Sequence, residues 1–261
     1  MAGSMTAERG ADEDLPSGPP PHRRLPGPRV LIILSLALVL AGATTVWALY
    51  GSSWLRVEQV SVSGTRVLTE AQVREAADVP LGAPLVSVDT DAMEARLRRK
   101  LPRIDSIEVD RSWPHGIDLK VSERVPVLIT ENSGKGGKYV EVDAKGVRFA
   151  TVSEPPKGVP ILEMDVSRSP ASRRFDTGRL VREAVRVAGD IPDAVARGTR
   201  VVKVLSYDSI SLELTDGRTV NWGSGEKGRA KARTLTALLE AAPDARHFDV
   251  SVPTAPASSG S

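Results

Sequence analysis

The chain contains no cysteine. Disulfides, thiolate nucleophiles and cysteine-ligated metals are thereby excluded. Histidine is nearly absent: His22, His115 and His247 are the only three, and no two lie close in sequence. A histidine-built metal site lacks its raw material. Aromatic residues are 4% of the chain, so an aromatic-lined ligand pocket is poorly supplied. Neither sign of charge prevails, because 35 basic side chains stand against 33 acidic ones for a formal net charge of +2. That balance gives no electrostatic case for nucleic acid.

What the chain does have is one long apolar run. Val30 to Tyr50, VLIILSLALVLAGATTVWALY, carries no charge over 21 residues. As a helix it spans roughly 30 Å, the thickness of a bilayer's hydrocarbon core. Trp47 and Tyr50 mark its far end, where amphipathic rings favour the interface. Arg23, Arg24 and Arg29 crowd its near end, and only Arg56 is comparably close on the far side. The positive-inside rule then puts the N-terminus in the cytoplasm and everything after about Gly51 outside. The run exceeds the apolar core of a signal peptide, about 7–15 residues, so an uncleaved anchor is expected. Residues 1–29 before it, with PSGPPPHRRLPGP, are a disordered cytoplasmic tail by composition.

From Trp54 the pattern changes to that of a folded α+β unit. LRVEQVSVSG reads as a strand. Thr69 with Gln72 has capping-box spacing and predicts a helix start. Asp89 or Thr90 can cap a second helix, whose stripe is Met93, Leu97 and Leu101. Two alternating strands follow, parted by the turn SWPHG. The order strand, helix, helix, strand, strand fills residues 54–124 and predicts a sheet with helices on one side. Trp113 in that turn invites an interface reading, but packing against its own domain is the expectation.

Residues 125–253 read as a second, mainly antiparallel β domain with accessory helices. VPVLITE, KYVEVD, GVRFATV and VPILEM are short strands. Leu180, Val181, Ala184, Val185, Val187 and Ala188 form a helical stripe. Three more strands follow, with a hairpin turn at Asp216-Gly217. A helix from about Lys227 to Ala242 then leads to a last strand, HFDVSV. Pro253 stops it, and residues 254–261 are expected to be a disordered tail.

One loop suggests an enzyme. Gly223, Gly225 and Gly228 in NWGSGEKGRAK fit G-x-G-x-x-G, between a strand and a helix. A dinucleotide turn needs a parallel βαβ unit. Here the preceding strand is a hairpin arm, so the local sheet is expected to be antiparallel. A phosphate loop needs Lys and Ser or Thr after the last glycine, where Arg229 and Ala230 stand. No serine lies in G-x-S-x-G, and Asp89 and Asp91 are better read as helix-start residues. No enzyme, cofactor, metal or small-molecule substrate is expected.

VDRSWPHGIDLKVSERVPV, from Val109 to Val127, resembles the end of a POTRA domain in bacterial division proteins of the FtsQ/DivIB family. VSVSG resembles that family's first POTRA strand, and VNWGS, LTALLEAA and FDVSVP resemble the close of its β domain. The likeness runs from about residue 29 to 253; HGI departs from the family's usual turn. The resemblance implies a single-pass, non-enzymatic scaffold at the division septum. It implies FtsB/DivIC-type and FtsL-type bitopic proteins and other divisome components as partners, and a link to septal peptidoglycan synthesis. It also implies docking on the last strand, hence Arg246, His247, Phe248, Asp249, Val250, Ser251 and Val252 as partner-binding candidates. A terminal strand could be an edge with unpaired backbone groups, or could be paired on both sides. Two rival readings are an outer-membrane assembly partner and an anchored sensor. The first would append a long barrel, for which the residues after the POTRA unit are too few.

Overall fold

The computed structural model describes residues 27–131, 137–165 and 176–260. The expected N-terminal tail up to residue 26 and most of the NSGKGGK connection lie outside the described residues.

The apolar run forms helix α1 (Pro28–Gly51), with Pro28 in its first turn and no buried side chain. Its 24 residues give a length of about 36 Å, more than a bilayer core requires. A helix apolar on every face cannot be stabilised by water, so α1 is the membrane span.

The chain after it begins with a three-stranded sheet, order β1-β3-β2. Its strands are β1 (Gln59–Ser63), β2 (Ile104–Ser112) and β3 (Gly116–Glu123). β2 and β3 form the antiparallel hairpin, while β1 adds in parallel to β3. Helices α2 (Glu70–Ala77) and α3 (Thr90–Lys100) cross between β1 and β2. The capping box is present in both directions between Thr69 and Gln72. Asp89, rather than Thr90, caps α3 by accepting from the Ala92 N–H. Val73, Leu85, Met93, Leu97, Ile117 and Leu119 close one core between helices and sheet. Trp113 does not pack there: it is 52% exposed at the tip of the hairpin.

A second core belongs to a nine-stranded sheet, order β12-β11-β10-β9-β8-β7-β4-β5-β6. β4 (Pro126–Glu131), β5 (Tyr139–Asp143), β6 (Arg148–Val152) and β7 (Ile161–Met164) make one half. Helices α4 (Thr177–Asp190) and α5 (Asp193–Ala196) follow, then β8 (Thr199–Ser206), β9 (Ser209–Leu214) and β10 (Thr219–Gly223). Helix α6 (Gly228–Ala241) leads to β11 (His247–Asp249) and β12 (Ala257–Ser259). The stripe of α4 and Leu235 of α6 pack on Leu128, Val202, Ile210, Leu212, Val220 and Trp222 of the sheet. Most pairings are antiparallel, as expected.

Three readings from sequence need correction. β10 pairs antiparallel with β9 but parallel with β11, so β10-α6-β11 is a parallel crossover. A connection that contains a whole helix returns the chain to the same end of the sheet, which is why the pairing is parallel. The last apolar strand stops at Asp249 rather than Val252. Residues 257–259, expected in a tail, form β12 against β11. β11 is therefore paired on both sides, and β12 is the edge.

Candidate functional site: the C-terminal edge of the large sheet

The glycine loop between β10 and α6 is filled from within. The Gly225 N–H donates to Oε1 of Glu183 on α4 at 2.8 Å. A Cβ on Gly228 would collide with Oδ2 of Asp190, the last residue of α4. Two carboxylates of the protein thus face the N-terminus of α6, where a bound phosphate would need to sit. Strand direction no longer argues against a nucleotide here, because β10 and β11 are parallel; the crowding carboxylates of Glu183 and Asp190 do. Lys231 closes the loop from the helix side. It is 2% exposed, and its Nζ donates to the carbonyls of Trp222 at 2.9 Å and Ser224 at 2.8 Å. Burial pushes its pKa down from the usual lysine range. The loop is a pinned turn that aims α6 and sets the start of β11.

The candidate partner-binding residues divide sharply. Phe248 (2% exposed) and Val250 (0%) belong to the core with Trp222 and Leu235. Their side chains are enclosed and hold this end of the sheet from beneath. Arg246 and His247 are exposed, and His247 Nδ1 lies 2.7 Å from Thr219 Oγ1. Asp249 is half-buried and accepts from Asn221 Nδ2, the Ser251 N–H and Ser251 Oγ. Burial works to raise its pKa, but these bonds hold the carboxyl below its ordinary range. Val252 lies past the strand and is exposed.

The surface at this end is made by β12. Ser258 stands opposite Phe248 and Ala257 opposite Asp249. The Arg246 N–H reaches the Gly260 carbonyl at 2.8 Å and extends the pairing. Beside this edge, on the face away from α4 and α6, lies an open trough of about 650 Å³. Lys203, Ser211, Glu213, Asn221, His247 and Ser258 line it. No sequence signal announced β12, because Ala and Ser have little strand preference.

VSERVPV proves to be a joint. The Glu123 carboxylate accepts three successive backbone N–H groups, from Arg66 at 2.7 Å, Val67 at 3.1 Å and Leu68 at 3.0 Å. Arg124 Nη1 bonds Asp105 at 3.1 Å and also Asp143 of β5. Arg103 meets Glu141 at 2.6 Å, and Lys145 meets Asp105 at 2.6 Å. The two cores are thus tied by an ionic cluster.

The family described as "POTRA domain, FtsQ-type" matches residues 55–124. The cell division protein FtsQ of Streptomyces coelicolor is 68% identical over 267 aligned residues, covering 100% of both chains. The chain belongs to the FtsQ/DivIB family of cell division proteins. A more distant FtsQ, from Mycobacteroides abscessus, is 33% identical and covers 87% of this chain and 68% of its own. The solved extracytoplasmic domain of DivIB from Geobacillus stearothermophilus is 14% identical, with a TM-score of 0.32, and covers 51% of this chain and 97% of its own. Membership in the FtsQ family gives the protein a role in cell division, as a POTRA-bearing protein with a single membrane span.

Proposed function

We propose that the protein is a non-enzymatic bitopic scaffold of the division septum. Its N-terminus lies in the cytoplasm and its POTRA-type domain (54–124) and β domain (125–253) lie outside. Its task is to bind FtsB/DivIC-type and FtsL-type proteins and to connect them to septal peptidoglycan synthesis. One observation carries the docking part: β12 ends the nine-stranded sheet with no strand on its outer side among the described residues. An edge strand offers unpaired N–H and C=O groups, which an extended partner segment satisfies by pairing. The neighbouring trough offers side-chain contacts through Lys203, Glu213 and His247. Arg246 supplies a cation to an acidic partner group. Phe248 and Val250 hold the edge in place from beneath.

Proline at Val250 is a poor test, because Val250 is buried and its N–H is bonded to the Asn221 carbonyl at 3.0 Å. Two changes at β12 are better: Ser258→Pro, and removal of residues 257–261. Pull-down of the full chain with its cognate small bitopic proteins should lose the FtsB-type partner in both. With Trp47, Trp54 and Trp113 replaced by Phe, emission from Trp222, fully buried in the β-domain core, reports that the domain is still folded. Unchanged capture by both variants refutes the edge as the docking surface. A fluorescent fusion should gather at septa, and its uniform spread over the membrane would count against the scaffold reading.

A further inference from the structure

The end of the POTRA domain where the chain enters has an unusual surface. Because β1 pairs in parallel with β3, the turn between β2 and β3 must lie beside the start of β1. The bonds show it: the His115 carbonyl accepts from Glu58 N–H at 2.9 Å and from Gln59 N–H at 3.2 Å. The turn before Pro84 closes on the other side of the same segment. Gly82 N–H donates to the Val57 carbonyl at 2.8 Å, and Arg56 Nη1 to the Gly82 carbonyl at 2.7 Å. Each of these loops presents a large apolar side chain to the outside: Trp54 (70% exposed), Leu81 (68%) and Trp113 (52%). Single exposed apolar residues are ordinary, but three on converging loops at one end of a small domain are a patch.

Connectivity says what covers it. Seven residues, Ser52 to Glu58, separate Gly51, the last of α1, from Gln59, the first of β1, a span of eight Cα–Cα steps. Fully extended, they reach roughly 26 Å. A patch tied this closely to a membrane span meets the bilayer surface at an effective concentration of about millimolar. Tryptophan is also the side chain that favours the headgroup level, with its ring among acyl carbons and its N–H in the polar layer. We propose that this end of the POTRA domain, carrying Trp54, Leu81 and Trp113, is a lipid-interface surface seated in the headgroup layer of the membrane that α1 spans. The domain is then held by two attachments, one covalent and one through these side chains. Its β domain is thereby presented to partners in a restricted range of directions.

The test uses the full chain in lipid nanodiscs. Trp47→Phe and Trp54→Phe leave Trp113 and Trp222 as emitters, and Trp222 is shielded in its core. Replacing ordinary phosphatidylcholine with lipid brominated high on the acyl chain should remove the Trp113 share of the emission. Adding Trp113→Phe should leave an emission that brominated lipid does not change, with the Trp222 maximum still that of a buried indole. Leu81→Glu, with Trp113 retained, should weaken the quenching. Trp113 emission indifferent to brominated lipid overturns the proposal, and would give the patch to a protein partner instead.

Discussion

Arg124 is the residue whose loss should cost most for its place on the surface of the fold. Its guanidinium bonds Asp105 and Asp143 across the joint, and its Nε donates to the Pro102 carbonyl at 3.1 Å. Side-chain exposure is 17% for Arg124 and 6% for Asp143, so this is a desolvated pair. Arg124→Met keeps most of the volume and deletes the charge. Asp143 is then left with the Lys145 and Val147 N–H groups on Oδ1, both at 2.8 Å, and no cation on Oδ2. Breaking a buried pair from one side costs about 3–5 kcal/mol, and the two surviving donors place this case near the lower end, about 3 kcal/mol. Asp105 is spared, because Lys145 Nζ still reaches it at 2.6 Å. The assay is urea unfolding of the full chain in detergent micelles, with Trp47, Trp54 and Trp113 replaced by Phe so that the buried Trp222 is the emitter. Asp143→Asn added to Arg124→Met removes the orphaned charge and should restore a large part of the loss. A loss below about 0.5 kcal/mol, the scale of an exposed ion pair, would refute the assignment. An equal loss in single and double variants would show that the orphaned charge is not the cause.

Other consequences are equally direct. Burial would raise the Glu123 pKa, yet the N–H groups of Arg66, Leu68 and Val67 hold it below its ordinary value. A folded pKa below the unfolded one gives stability that is full above the ordinary glutamate range near 4.3 and fades as pH falls through the folded value. Glu123→Gln should therefore flatten the acid limb of a stability-pH curve, and an unaltered limb would reject the role. Thr69→Ala removes half of the capping box and should cost about 1 kcal/mol in the same unfolding assay, against no change if α2 is fixed by packing alone. Gly228→Ala puts a methyl group against Asp190 Oδ2, so its Tm should fall, and adding Asp190→Ala should recover part of the loss. Recovery failing would mean that the glycine is required for some reason other than this contact.

Much of the architecture was legible because it rests on local rules. The uncharged run from Val30 to Tyr50 needs no partner to declare a span. Thr69, Asp89 and the α4 stripe announced their helices through capping and period, which depend only on near neighbours. Apolar alternation likewise put Phe248 and Val250 on one face. The same pattern could not say whether that face was core or docking surface, since both are apolar. The structure makes that face core, and puts β12 rather than β11 at the end of the sheet.

The sequence by itself determined the span, the order of helices and strands, and which faces are apolar, because each follows from spacing along the chain. Tertiary structure alone decided that β11 runs parallel to β10, that an Ala-Ser segment becomes the edge strand, and that Glu183 and Asp190 close the glycine loop. It alone brought Trp54, Leu81 and Trp113 to one end of a domain. These are contacts between residues tens of positions apart. Their energies come from pairing and burial with distant partners, and no local preference for Ala, Ser or Gly encodes which partner will be there.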